Sequence, residues 1–260
     1  MHTQPRGLDM TLPGPRLLRA EIFVVFAVSL GASALVALVR LIGALTAPRP
    51  LQGQRAVLVG SLAPGRPWLD LALQLVDIAI SVAPVALVAY LLVRSGESMR
   101  TIGVDLREPG RDLVRGAAVA ALVGGTGLAF YLAVWAAGVN LTVVPGALPD
   151  EWWRVPVLLL AAAQNGVLEE VIVCGYLLHR LDQIGWSPVR SIVVSSLLRG
   201  SYHLYQGFGG FVGNVVMGLL FGWLYRRWRR AMPLVVAHTL IDAVAFVGYA
   251  LLRGKVSWLP

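Results

Sequence analysis

Charged side chains are scarce in this 260-residue chain, at 14%, where an ordinary soluble domain carries about a quarter. Cysteine is scarcer still. The single Cys174 excludes an internal disulfide framework and any cysteine-rich zinc or iron-sulfur site. There is no internal repeat and no low-complexity tract. What fills the chain instead is apolar: 57% of the residues are hydrophobic and the mean hydropathy is +0.71. The solvent implied is a bilayer. The net charge of +8 does not point to nucleic acid, because the basic residues lie in short loops between apolar runs, without an aromatic-interleaved basic stripe.

Apolar runs of roughly 17 to 25 residues are the spanning signal. They predict an all-α, polytopic integral membrane bundle of about seven transmembrane helices, near 20–46, 69–93, 114–139, 155–178, 189–206, 208–225 and 231–252. The fifth and sixth are the weakest, because the glycine-rich "HLYQGFGGFVGN" lies between them. The polar stretch 1–19 reads as a disordered cytoplasmic tail, 20–139 as N-terminal transmembrane helices and 140–260 as a transmembrane core. A signal peptide is the rival for the first run, but that run is long and Arg40 interrupts its end, so it reads as an uncleaved span. The charged connector 94–115 is expected to form a surface helix or strand. Basic residues gather in alternate loops, from Arg6, Arg16 and Arg19 through Arg94–Arg115 and Arg180–Arg190 to Arg226–Arg230. This asymmetry predicts a cytoplasmic N-terminus and membrane lipids as partners.

Ionised side chains inside a span cost roughly 2.5 to 3.5 kcal/mol on insertion scales and need a partner, a proton or a function. Four groups qualify: Glu169 with Glu170, Arg199 with His203, His238 with Asp242, and more weakly Asp70 with Asp77. Counted from the nearest basic loop, the first three lie at a similar depth of roughly 12 to 18 Å. One layer of the membrane is expected to hold these three. His238 and Asp242 are four apart, as are Arg199 and His203, so each pair shares a helix face. Adjacent Glu169 and Glu170 point roughly 100° apart and are not expected to aim at one atom. Two histidines with a carboxylate either bind zinc, with His203, His238 and Glu169 as the ligands, or activate and orient a water. A lone membrane histidine is usually a helix-to-helix hydrogen bond; two at matched depth beside a glutamate pair favour a site. Asp70 reads as interfacial and Asp77 as a helix-packing or regulatory group. "NLT" at 140–142 is a chance glycosylation match, and Gly209 with Gly213 and Gly218 with Gly222 are packing faces.

The segments "EEVIVCGYLLHRL", "SSLLRGSYHLYQG" and "PLVVAHTLIDAVAF" resemble the three motifs of the CPBP intramembrane proteases, the group of type II CAAX prenyl endopeptidases and bacteriocin-immunity proteins. The resemblance covers about residues 155–250. It implies an endopeptidase acting on a membrane-associated or lipidated peptide, with Glu169 activating water with help from His203, and with His238 and Asp242 completing the polar site or holding a metal. Two departures stand out. Cys174 occupies the place of an arginine after the glutamates, and Arg199 the place of an aromatic residue before the first histidine. Arg199 is therefore expected to supply the missing cation, neutralising Glu170 from the next helix. The rival readings are a non-catalytic member that confers immunity or binds a partner helix, and a proton-coupled transporter, for which the usual repeat symmetry is lacking.

Overall fold

A computed structural model describes residues 13–256. Residues 1–12, which include Arg6 and most of the expected tail, lie outside the described residues. The chain is helical from Pro15 onward, inside the stretch expected to be a tail. Helix α1 (Pro15–Ala27) runs into α2 (Leu30–Thr46) through a bend of 49°. After strand β1 (Arg55–Gly60) come α3 (Pro67–Ser81) and α4 (Ala83–Arg94), which together form one 28-residue apolar run, and then α5 (Pro109–Ala136). Strand β2 (Thr142–Ala147) precedes α6 (Arg154–Glu169), a π-helical segment (Glu170–Leu177) and α7 (Leu178–Gln183), which continue one another. Last are α8 (Pro188–Ser201), α9 (Phe208–Trp228) and α10 (Met232–Leu252).

Among the described residues five helical runs are long and apolar enough to cross a membrane, and six if the bent α1–α2 pair is one span. The protein is an all-α polytopic membrane bundle. The difference from seven is the run at 189–206: α8 is only 14 residues long, about 21 Å at 1.5 Å per residue and short of the roughly 30 Å hydrocarbon layer. Its serines face protein. Ser191, Ser195 and Ser196 are buried against protein, and Gly218 of α9 comes so close that a Cβ there would lie 2.9 Å from the Ser196 Cα. Small residues allow this backbone approach, which is how helices associate where lipid offers no hydrophobic drive.

Helix α10 packs against α5 and α6, and α8 against α9. One end of the bundle carries a feature that hydropathy does not report: β1 and β2 pair as a parallel two-stranded sheet, Arg55 opposite Thr142 through Gly60 opposite Ala147. Thr142 ties it down, its hydroxyl donating to the Gln52 carbonyl and accepting from the Trp135 indole, both at 2.8 Å. Asn140 is 1% exposed and its side-chain oxygen accepts from the Gly210 amide, so the "NLT" asparagine is a buried structural group.

The opposite end carries most of the arginines. The connector 94–115, expected as a surface helix or strand, holds a short turn at Met99–Ile102 and the first residues of α5, and is clamped to the start of α10. Arg230 donates to Asp112 at 2.6 Å and Asp105 at 3.1 Å. The amides of Ala231 and Met232 donate to the carbonyls of Ile102 and Gly103. Gly103 has φ of 70°, and a Cβ there would lie 2.2 Å from the Arg230 Cα, so both conformation and space require glycine. Arg180 is not a loop residue. It is fully buried, bonded to Glu97 at 2.5 Å, to Ser95 at 3.0 Å and to the Leu91 carbonyl. Glu97 also meets His179, and Glu21 of α1 pairs with Arg94.

Candidate active site

The glutamate pair sits where α6 changes to the π-helical winding. Such segments are rare and cluster at functional sites because the widened turn gives up ordinary i→i−4 bonds. Here neighbouring helices donate to the backbone: Ser195 of α8 to the Val173 carbonyl at 3.4 Å, and Tyr225 of α9 to that of Gly175 at 3.3 Å. Helix α10 comes close at the same level, since a Cβ on Gly166 would lie 2.5 Å from the Thr239 hydroxyl. The segment is thus wedged between α8, α9 and α10, and its carboxylates face inward.

Glu170 is wholly buried, and one of its oxygens takes two donors. Arg199 Nη2 lies 2.6 Å and His238 Nδ1 2.7 Å from Oε1. The same guanidinium reaches back to Glu169, with Nη1 3.4 Å from Oε2. The two carboxylates therefore meet different nitrogens of one cation, in keeping with their expected divergence from any single atom. The forked guanidinium spans both, which a lysine ammonium would not do. Arg199 is fully buried, and its Nη2 is also 4.0 Å from Cys174 Sγ. The cation therefore stands next to the position where the motif would place its own arginine.

Glu169 differs from its neighbour. Its side chain is 10% exposed, and its Oε2 accepts from the Tyr202 hydroxyl at 2.7 Å. Among the described residues no hydrogen bond engages its other oxygen. His203, on the turn after α8, points its Nδ1 at the Arg199 carbonyl at 3.0 Å. A carbonyl only accepts, so that nitrogen carries the proton and Nε2 presents a lone pair. His238 Nε2 lies 3.8 Å from Asp242 Oδ2, and Asn165 donates to the same oxygen at 2.8 Å. Both aspartates of the weaker pair lie elsewhere. Asp70 is buried near the sheet, accepting from the Leu62 amide at 2.8 Å, and Asp77 is exposed on α3.

Tyr202 and Asn165 were not singled out in the sequence. Signals for both exist: Asn165 is four residues before Glu169 on the same helix face, and Tyr202 adjoins His203.

Glu169, Glu170 and His238 present ligand atoms within 4.8 Å of one another. Among the described residues this is the group able to gather round a metal, and it contains Glu170 in place of His203. A dication there would face the Arg199 guanidinium, although Glu170 Oε2, buried without a hydrogen-bond partner among the described residues, is an oxygen it could take.

Residues 151–244 match the family described as type II CAAX prenyl endopeptidase Rce1-like. The match begins just before α6 and ends just after Asp242, so it encloses every residue of the site. Over that core the chain is similar to this family, and its long apolar helices make it an integral membrane protein. Comparisons with curated proteins and with solved structures yield no match.

Proposed function

We propose that this Rce1-like chain is an intramembrane endopeptidase that hydrolyses a peptide bond in a membrane-associated or lipidated substrate without a metal. The observation that carries the reading is the unequal state of the two glutamates. Glu170 is tied to Arg199 and His238, while Glu169 has one oxygen fixed by Tyr202 and Arg199 and the other unengaged, on a side chain still 10% exposed. A fixed, partly accessible carboxylate beside a histidine with a free lone pair suits a general base.

In this mechanism Glu169, aided by His203, takes a proton from water. The hydroxide adds to the scissile carbonyl carbon, the carbon–nitrogen bond breaks, and the proton returns to the leaving amine. His238, held by Glu170 and facing Asp242, donates to the oxygen on which charge develops, an interaction that strengthens toward the transition state. Zinc fits poorly. A buried guanidinium 2.6 Å from Glu170 and 3.4 Å from Glu169 already supplies the positive charge these carboxylates require. The arginine-rich loops favour an N-terminus on the cytoplasmic side.

The test is cleavage of a lipidated C-terminal peptide by purified protein in proteoliposomes, with EDTA and H2(18)O present. The reading expects chelator-resistant cleavage with one heavy oxygen in the new carboxylate. Activity abolished by EDTA and restored by zinc would overturn the metal-free mechanism.

A further inference from the structure

Helix α10 carries His238 and Asp242 one turn apart, and side chains at that spacing ordinarily touch. Here they stop short. His238 Nε2 lies 3.8 Å from Asp242 Oδ2, whereas a charge-assisted N–H···O bond closes to about 2.7–2.9 Å. That oxygen is taken instead by Asn165 of α6, whose side-chain nitrogen donates to it at 2.8 Å. Packing fixes where Asn165 meets α10. The next residue, Gly166, lies so close to α10 that a Cβ there would come within 3.0 Å of the Val235 carbonyl and of the Thr239 amide nitrogen.

The gap matters because the other ring nitrogen is already engaged. Nδ1 lies 2.7 Å from Glu170 Oε1, so a hydrogen bond from His238 to a reacting oxygen has to come from Nε2. Asp242 faces that nitrogen, and its side chain is 18% exposed, so this end of the ring is open to an incoming group. A carboxylate that closed on Nε2 would occupy the donor before a substrate could. A neutral amide suits the task of holding it back, since it donates to the carboxylate and adds no charge one turn before Glu169.

We propose that Asn165 is a positioning residue that holds the Asp242 carboxylate off His238 and so keeps Nε2 free for the substrate oxygen on which charge develops. The inference rests on the endopeptidase reading and adds to it a residue that touches neither the water nor the scissile bond.

The experiment is a double-mutant cycle on Asn165→Leu and Asp242→Asn, read as cleavage of a lipidated peptide in phosphatidylcholine proteoliposomes alongside denaturant unfolding. Asn165→Leu alone should lower kcat about tenfold or more, part of the loss seen when an oxyanion donor is removed. KM should stay within about twofold, and the unfolding midpoint should be no lower than that of wild type, because Asp242 exchanges Asn165 for His238. Asn165→Ala, which asks for no extra room between α6 and α10, should give the same pattern. With Asp242→Asn present no carboxylate can close on the ring, and Asn165→Leu should then cost less than about threefold. In protein carrying isotope-labelled histidine, the Nε2 resonance of His238 should move on Asn165→Leu, whatever the level of activity. An equal loss of kcat in both backgrounds, a loss that tracks a falling midpoint, an unchanged kcat or an unmoved resonance would each overturn the spacer and leave the endopeptidase reading intact. Wild type that cleaves nothing would remove that reading and the spacer with it.

Discussion

Arg199→Ala removes the cation shared by two buried carboxylates, and the geometry sets the size of the effect. Glu170 has no exposed surface and loses its 2.6 Å partner, while Glu169 loses the 3.4 Å one. Breaking a buried pair from one side costs about 3 to 5 kcal/mol, because the remaining charge is uncompensated. His238 still lies 2.7 Å from Glu170, so a loss near the lower figure, about 3 kcal/mol, is expected. That is a large part of a typical total stability of about 5 to 15 kcal/mol. Arg199→Lys should be intermediate, since it keeps the charge and loses the fork. Cys174 offers a rescue. Its sulfur is 4.0 Å from Arg199 Nη2, so an arginine placed there can use the space that Arg199→Ala vacates. The assay is denaturant unfolding in detergent, followed by tryptophan fluorescence. The double variant Arg199→Ala with Cys174→Arg should regain part of the stability. Wild-type stability for Arg199→Ala, within about 0.5 kcal/mol, or a double variant no better than the single, would refute the clasp.

Gly103→Ala should destabilise by about 1 to 3 kcal/mol or more, since a left-handed backbone is imposed on alanine and its Cβ would lie 2.2 Å from the Arg230 Cα; thermal unfolding measures this. The Arg107 amide and the Arg230 guanidinium hold the Asp105 carboxyl below the usual carboxylate range. A carboxyl whose folded pKa is depressed stabilises above its unfolded pKa of about 3.9 and loses that contribution as the pH falls through the folded value. The unfolding midpoint of Asp105→Asn should therefore lie below that of wild type at pH 7, and the gap should close at pH below about 4; a gap independent of pH would contradict the assignment.

Much of the site is legible in the sequence because buried charge is costly enough to be conspicuous. Glu169, Glu170, Arg199, His203, His238 and Asp242 all interrupt apolar runs, and their helical spacing indicates which share a face. The sharing of one guanidinium by the two glutamates was not legible, because a separation of about 100° holds for an α-helix and says nothing of one cation whose different nitrogens reach both. Long apolar helices are equally plain, since hydropathy is a property of one segment. The β1–β2 sheet is not, because it joins Arg55 to Thr142, a pairing that exists only once the intervening helices have packed. Arg180 was misread for a similar reason. It stands at the edge of a polar stretch, and its burial is created by Glu97 and Ser95 from the connector after α4.

The central claim is that Glu169 is the base and Glu170 the clasp. Glu169→Gln keeps the shape and an acceptor for Tyr202 but removes the base. Cleavage of the lipidated peptide by this variant, in proteoliposomes and at matched folded protein, tests the claim most directly. The account predicts a fall in kcat of at least about 10²-fold, in the range for a lost general base, with an unfolding midpoint close to that of wild type. Retention of near-wild-type kcat by well-folded Glu169→Gln would contradict it.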